Sequence, residues 1–394
     1  MIQPDGGPCH SSPHASHDDD DVLDDPERLE ATDTGGLLRA AAMAGAQVRA
    51  TAAAAEEAGL RRLVGERPRA LVLLIRPSAA LAAAPLLLAL LGPSCPVPVV
   101  TTRSVPMWVG ALDVVLAHTA DPGDRELAEG LDRAARRGAQ VVLTAPEQGP
   151  VAAAVAGRSI LVVPRIEVPP GLALPQALTA GLVLLDTLGL LATDSEVLAG
   201  ELDREAQRDH VAHESLVNPA KSLALRLRAR TPLLWGTDPV ATAVAEHCAG
   251  ALAAHAGVVA HAAGFPEAAA LPVLRQQATR AGGAADIFAD PFQDVPPGGG
   301  TPGSAAPALR PVLLGVLGGS YHEPERAAAL AALPSADVVT VDEELMVRRD
   351  DPGAAACAAA VLALRFDFAA LYLGLSRGVL GGPGRGGSTG PVGE

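Results

Sequence analysis

The chain holds ten histidines and 45 carboxylates, and a few of them have the type and spacing to move protons. His255 and His261 stand at either side of a short apolar run, 258–261. An imidazole changes charge near neutral pH, so either could act as a general base or acid, or serve as a packed or solvent-facing side chain. Glu267 follows a strand-like segment and could face a cleft; the alternative is a solvated loop carboxylate. Glu246 and His247 are adjacent on a helical segment, and adjacent helical residues point to different sides, so they do not read as a base pair. Other groups suggest ligation. His210, His213 and Glu214 have the helical spacing of a metal site, but equally that of an exposed charged face, which is the reading adopted. The glycine-rich stretch 315–322 follows a strand and could cradle an anion or simply turn. Arg158 and Arg165 border the last strand of the first half, at the edge where α/β sheets bind ligands, and could hold a phosphate. Lys221, the sole lysine among 30 basic residues, either ties down its helix or lines a site.

Positioning such groups needs elements, and the pattern of apolar runs supplies them. Between residues 70 and 164 five runs (71–75, 97–101, 113–117, 140–143 and 159–163) are apolar on both faces, as strands of a covered parallel sheet are. Segments between them, such as 124–137, are charged on one side and apolar on the other, like crossover helices. Residues 176–230 read as mainly helical. Strand signals then return at 232–236, 258–261, 311–314 and 338–341, which suggests a duplicated unit. The expected fold class is α/β, with two doubly wound parallel-sheet units joined by a helical connector. The expected boundaries are a disordered acidic tail over 1–34, a first unit over 35–170, a connector over 171–217 and a second unit over 218–380. A flexible insertion is expected at 290–308 and a loose tail at 381–394.

Composition removes several function classes. The formal charge of −15 and the 2% aromatic content argue against nucleic acid, which needs clustered cations and stacking surfaces. Residues 77–102 carry no charge, but five prolines and Gly92 break them into loop, short buried helix, turn and strand rather than a membrane span. No signal peptide is visible, and the four cysteines lie far apart without metal or redox spacing, so a cytoplasmic protein with no cofactor is expected. Cys9, His10, His14 and His17 in the tail could chelate a metal only adventitiously.

Four strings are more specific than this pattern: Asn218-Pro219-Ala220-Lys221, the strand at 232–236, Gly264-Phe265-Pro266-Glu267, and 367–373 with Asp367, Phe368 and Tyr372. In that order the chain resembles, over residues 36–380, the bifunctional phosphoglucose/phosphomannose isomerases of the sugar isomerase (SIS) superfamily. The resemblance implies two SIS subdomains, a homodimer, sugar-phosphate binding and aldose–ketose isomerisation. Carried over by position, the family's first phosphate loop, Gly-Gly-Ser, reads Arg76-Pro77-Ser78, so Ser78 survives. The second loop, Ser-Tyr-Ser-Gly-Asn-Thr, reads 118–123, where Thr119 offers a hydroxyl. The family's Glu-Asn-x-Lys base string reads Ala254-His255-Ala256-Gly257, its ring-opening histidine falls on Ala270, and its late lysine is absent. His255, His261 and Glu267 are therefore the candidate catalytic residues, and Ser78, Thr119 and Arg165 the candidate phosphate ligands. Two readings remain open: an isomerase working with substituted groups, or a non-catalytic SIS protein that binds a phosphosugar or protein partner and regulates.

Overall fold

Short aliphatic runs form the strands, and each of the two sheets is parallel throughout. The computed structural model describes residues 22–282, 308–318, 322–341 and 352–380. In the first sheet β1 (Ala70–Leu74), β2 (Val99–Thr102), β3 (Asp113–His118), β4 (Gln140–Thr144) and β5 (Ile160–Val162) lie in the order β2-β1-β3-β4-β5. In the second, β6 (Arg230–Gly236), β7 (His261–Gly264), β8 (Ala308–Leu314) and β9 (Asp337–Val339) lie in the order β7-β6-β8-β9. The first four strands of each sheet thus share one plan, with Leu73 opposite Leu116 and Leu234 opposite Val312 at equivalent central pairings. In this doubly wound order the chain reverses direction between the first and third strands, and ligands bind at the carboxyl ends of strands at that point.

Helices cover the sheets. Before the first sheet come α1 (Pro26–Thr32), α2 (Leu37–Ala42) and α3 (Ala44–Glu57); among its strands run α4 (Ala80–Leu91), α5 (Arg125–Arg136) and α6 (Pro150–Val155). Between the two sheets run α7 (Leu174–Thr187), α8 (Ser195–Arg208) and α9 (Pro219–Leu227). The second sheet carries α10 (Pro239–Ala251), α11 (Phe265–Ala269), α12 (Pro272–Gly282), α13 (Glu323–Ala332) and α14 (Pro352–Ser376). The expected crossover at 124–137 is α5: Asp124 caps its first turn by accepting from Leu127 N at 3.0 Å, and Leu127, Leu131 and Ala134 are its buried face. The uncharged stretch 77–102 resolves into α4 and β2. Among the described residues one helix, Gly353–Ser376, is long and apolar enough to cross a membrane, and its most apolar window is entirely buried inside the protein, as a core helix is. Its ion pair of Arg365 with Glu205 of α8 is buried at both ends.

Two expectations change. The tail does not extend to residue 34: Val22, Leu23 and Leu29 are buried, and Asp24 accepts from Ser215 N at 2.7 Å and Ser215 Oγ at 2.8 Å. Val22 and Leu23 ahead of α1 and Leu29 on it have a core to enter, which outweighs the polar composition around them. Residues 1–21, most of the expected insertion at 290–308 and the tail at 381–394 lie outside the described residues. The strand expected at 258–261 starts at His261 instead. Gly257 at φ +62° ends a π-turn, Leu252–Ala256, that continues α10 and delays the start of the strand.

Candidate functional site

Where the chain leaves β1 it enters α4, and the loop between them stands at the first sheet's reversal point. Ser78 Oγ donates to the His118 carbonyl at 3.2 Å, tying the end of β1 to the end of β3. The N-cap residue of α4, Ala79, has no side chain to cap it, and the first turn is closed by the backbone, Leu81 N donating to the Ser78 carbonyl at 3.0 Å and Ala82 N to the Ala79 carbonyl at 3.2 Å. In front of this end lies a cavity of about 350 Å³. Its walls are Ser78, Leu81 and Ala82 on one side, Pro170, Gly171 and Leu174 at the start of α7, and Glu246, His247, Gly250, Ala254 and His255 of the second lobe.

The π-turn decides which side chains of α10 face that cavity. Eight residues of regular α-helix would leave His247 and His255 about 80° apart, whereas the wider turn brings them close to one face. His247 Nε2 lies 2.9 Å from Asp367 Oδ1 of α14, both side chains being buried. Burial works against the charged imidazole, but the Asp367 charge and hydrogen bond outweigh it and lift His247 above its ordinary range. His255, 8% exposed, has no partner at Nε2 and rests its ring against Gly171. Burial lowers its pKa, Asp367 opposes that, and the His247 charge adds to it, so the ring favours its neutral, basic form. Gly374 of α14 backs the same turn: a Cβ there would overlap the His255 carbonyl oxygen. Glu246 stands at the mouth with its carboxyl pushed upward by partial burial.

The second lobe closes its equivalent edge. Asp238 caps α10 through Ala241 N at 2.8 Å and accepts from Val316 N at 2.8 Å and Leu317 N at 3.1 Å. Those N–H groups belong to the glycine-rich stretch considered as an anion cradle. A carboxylate already occupies them, so of the two readings the stretch fits the turn; residues 319–321 lie outside the described residues.

Residues 216–380 match the family described as the bacterial phospho-glucose isomerase C-terminal SIS domain. The chain carries an SIS domain. No curated protein matches the sequence. Several solved structures resemble most of the chain in fold. The C-terminal domain of glucosamine-fructose-6-phosphate aminotransferase from Francisella tularensis gives a TM-score of 0.56 at 10% identity, over 86% of this chain and 96% of that one. Tagatose-6-phosphate ketose/aldose isomerase from Escherichia coli gives 0.55 at 10% identity, over 89% and 91%. A hypothetical protein from Thermus thermophilus gives 0.58 at 14% identity, over 89% and 88%. At these identities the likeness concerns the fold.

Of the six residues singled out, the fold brings His255 and Ser78 into the cavity. His261 instead begins β7 and accepts from Trp235 Nε1 at 3.2 Å, so it serves packing between strands. Glu267 lies on α11, exposed beside Gly264, and Thr119 is buried in a turn in which its Oγ1 accepts from Asp121 N at 3.1 Å. Arg165 is spent on an ion pair with Glu57, and Arg158 on Asp132 at 2.8 Å. Arg76, on the first loop, lies 2.6 Å from Asp124 and 3.1 Å from Glu126. Lys221 donates to the Val211 and His213 carbonyls, each at 2.7 Å, and sits over the Tyr372 ring, so it ties α9 to the connector and to α14. His210 Nδ1 accepts from Ala212 N and His213 Nδ1 meets the Arg208 carbonyl; no group of three metal-ligating side chains occurs among the described residues. Sequence reasoning missed His247 with Asp367, because the partners lie 120 positions apart. The presence of Asp367 in the family string at 367–373 was the available signal.

Proposed function

We propose that the inter-lobe cavity binds a phosphorylated sugar and that the chain moves a proton between C1 and C2 of the open form, interconverting aldose and ketose. One observation carries this reading: His255, a buried imidazole without a partner at Nε2, shares a cavity of ligand size with the uncapped N-terminus of α4. Ser78 and the positive end of the α4 dipole suit a phosphate, since a helix N-terminus attracts anions. The sugar then extends toward α10. His255, held neutral, takes the C2 proton of the aldose and returns it to C1. Glu246 protonates O1 as the enediol forms and takes the proton from O2 as the ketose forms, so both carboxyl and imidazole end as they began. Membership of the SIS group and the resemblance to phosphoglucose/phosphomannose isomerases support the substrate class, and with it a cytoplasmic homodimer.

A coupled assay for fructose 6-phosphate formed from glucose 6-phosphate or mannose 6-phosphate tests the reaction. The wild type should turn over, and H255A should lose roughly 10²–10⁴-fold in rate while still binding. A second reading rests on Arg76, whose ion pairs with Asp124 and Glu126 fill the ground beside the first loop. In it the protein binds a phosphosugar without converting it. Thermal stabilisation by glucose 6-phosphate with no turnover in the wild type would select that reading.

A further inference from the structure

Helices α4 and α10 occupy equivalent places in their lobes, each following an inner strand of its sheet, β1 or β6. The cavity at His255 takes the start of α4 and the second half of α10. A second cavity, of about 770 Å³, takes the reverse: the second half of α4, with Leu88 and Ala89, and the start of α10, with Thr242. Leu317 and His322, which follow β8, complete it, and Glu246, at the middle of α10, lines both cavities. We propose that the second cavity binds an organic cation with an apolar body, held through Glu246, and that the bound cation draws Glu246 away from the first cavity. The binding stands by itself; the effect on turnover rests on the isomerase reading, in which Glu246 moves the protons of O1 and O2.

The walls select that ligand class. Every side chain of α4 is apolar, so the turns that reach the surface offer apolar area, and Leu88 is 39% exposed there. Such area beside a cavity of ligand size is where an apolar body gains by leaving water. An anion is disfavoured, because α10 starts under the Asp238 carboxylate, which also takes the Val316 and Leu317 N–H groups. The end of α4 brings the negative end of its dipole, with no basic residue in its last turn. The Thr242 hydroxyl is turned back to its own helix, donating to the Asp238 carbonyl at 2.9 Å. No lysine or arginine stands among the described lining residues, and only Glu246 and His322 among them titrate. His322 is close enough to Asp238 for their charges to act on one another. Partial burial is the one influence on the Glu246 carboxyl, with no cation among the described residues answering it. The carboxylate is therefore left for a ligand.

Tryptamine is the probe: its indole supplies the apolar body and its ammonium the charge. N-acetyltryptamine keeps the indole without the charge, and indole-3-propionate reverses the sign. At about pH 8, above the ordinary imidazole range, calorimetric titration should give tryptamine a Kd about fivefold below that of N-acetyltryptamine, with indole-3-propionate the weakest. E246Q should remove the advantage of tryptamine and leave N-acetyltryptamine unchanged. A89F and L88W put bulk into the cavity without touching a charge, and each should weaken both ligands about tenfold. Far-UV circular dichroism checks that the variants fold, and L88W, at an exposed position, serves if A89F does not. Saturating tryptamine should slow the formation of fructose 6-phosphate from glucose 6-phosphate about tenfold in the wild type and not in the bulky variants. Tryptamine binding that A89F and L88W leave unchanged lies elsewhere on this acidic protein and overturns the site. Equal tryptamine binding by E246Q and wild type overturns the role of Glu246. Binding as expected in a protein that converts no phosphosugar overturns the isomerase reading and leaves the site standing, whereas turnover untouched by bound tryptamine overturns the coupling.

Discussion

His118 closes β3 at 6% exposure, and neither of its ring nitrogens has a hydrogen-bond partner. Burial lowers its pKa to about 4, so the folded protein holds this ring neutral where the unfolded chain would already be charged. A lowered histidine contributes stability above its ordinary value, and that contribution disappears as pH falls from about 6.5 toward 4. Denaturant midpoints for H118F should match or exceed the wild type at neutral pH, because two buried unpartnered nitrogens are removed without opening a cavity. The variant should also lose the part of the acid sensitivity that lies between those two pH values. An acid profile unchanged by the substitution would show that other groups set it. Ser78 bonds to the backbone of His118, so its position should survive this change.

At the scale of elements, α14 joins parts of the chain that are distant in sequence. Arg365 donates to Glu205 of α8 and, at 2.8 Å, to the Thr340 carbonyl just after β9. Tyr372 donates to the Asp209 carbonyl at 2.6 Å, and the Asp209 carboxyl is pushed up to about 8 by burial and then by Glu205. Removing the guanidinium leaves Glu205 buried without its main counter-charge. R365M should therefore cost about 3–5 kcal/mol in urea unfolding, and adding E205Q to it should recover much of that loss. If the double variant is no more stable than R365M, the pair is not the tie described. The π-turn is the other decisive element. It ends at Gly257, stands against Gly374 of α14, and rotates His255 into line with His247.

Across the whole molecule, the two sheets share a core. One continuous apolar cluster contains Leu71 and Leu73 of β1, Leu234 and Val312 of the second sheet, and most of α14. Each lobe also carries one tryptophan: Trp108, 47% exposed, in the first, and Trp235, fully buried, in the second. W235F leaves Trp108 to report the first lobe, and W108F leaves Trp235 to report the second. In each variant, the fluorescence midpoint in urea should coincide with that of far-UV circular dichroism, since a shared core unfolds as one unit. Midpoints that separate would mean that the lobes melt independently. The cavity depends on the same union, with α4 and α7 forming one wall and α10 the other.

The alternation of apolar runs with amphipathic segments determined both parallel sheets, because a strand covered on both faces has to be aliphatic throughout and its crossover helix has to be apolar on one side. The local strings determined the SIS resemblance, and position alone singled out Ser78 and His255. Tertiary structure decided the rest. Whether a histidine faces a cavity depended on one wide helical turn, which apolar periodicity does not encode. Arg165 and His261 had suitable chemistry but were claimed by Glu57 and Trp235, partners that only folding brings near. His247 found its partner in Asp367, a carboxylate whose distance along the chain is long and whose distance in space is one hydrogen bond.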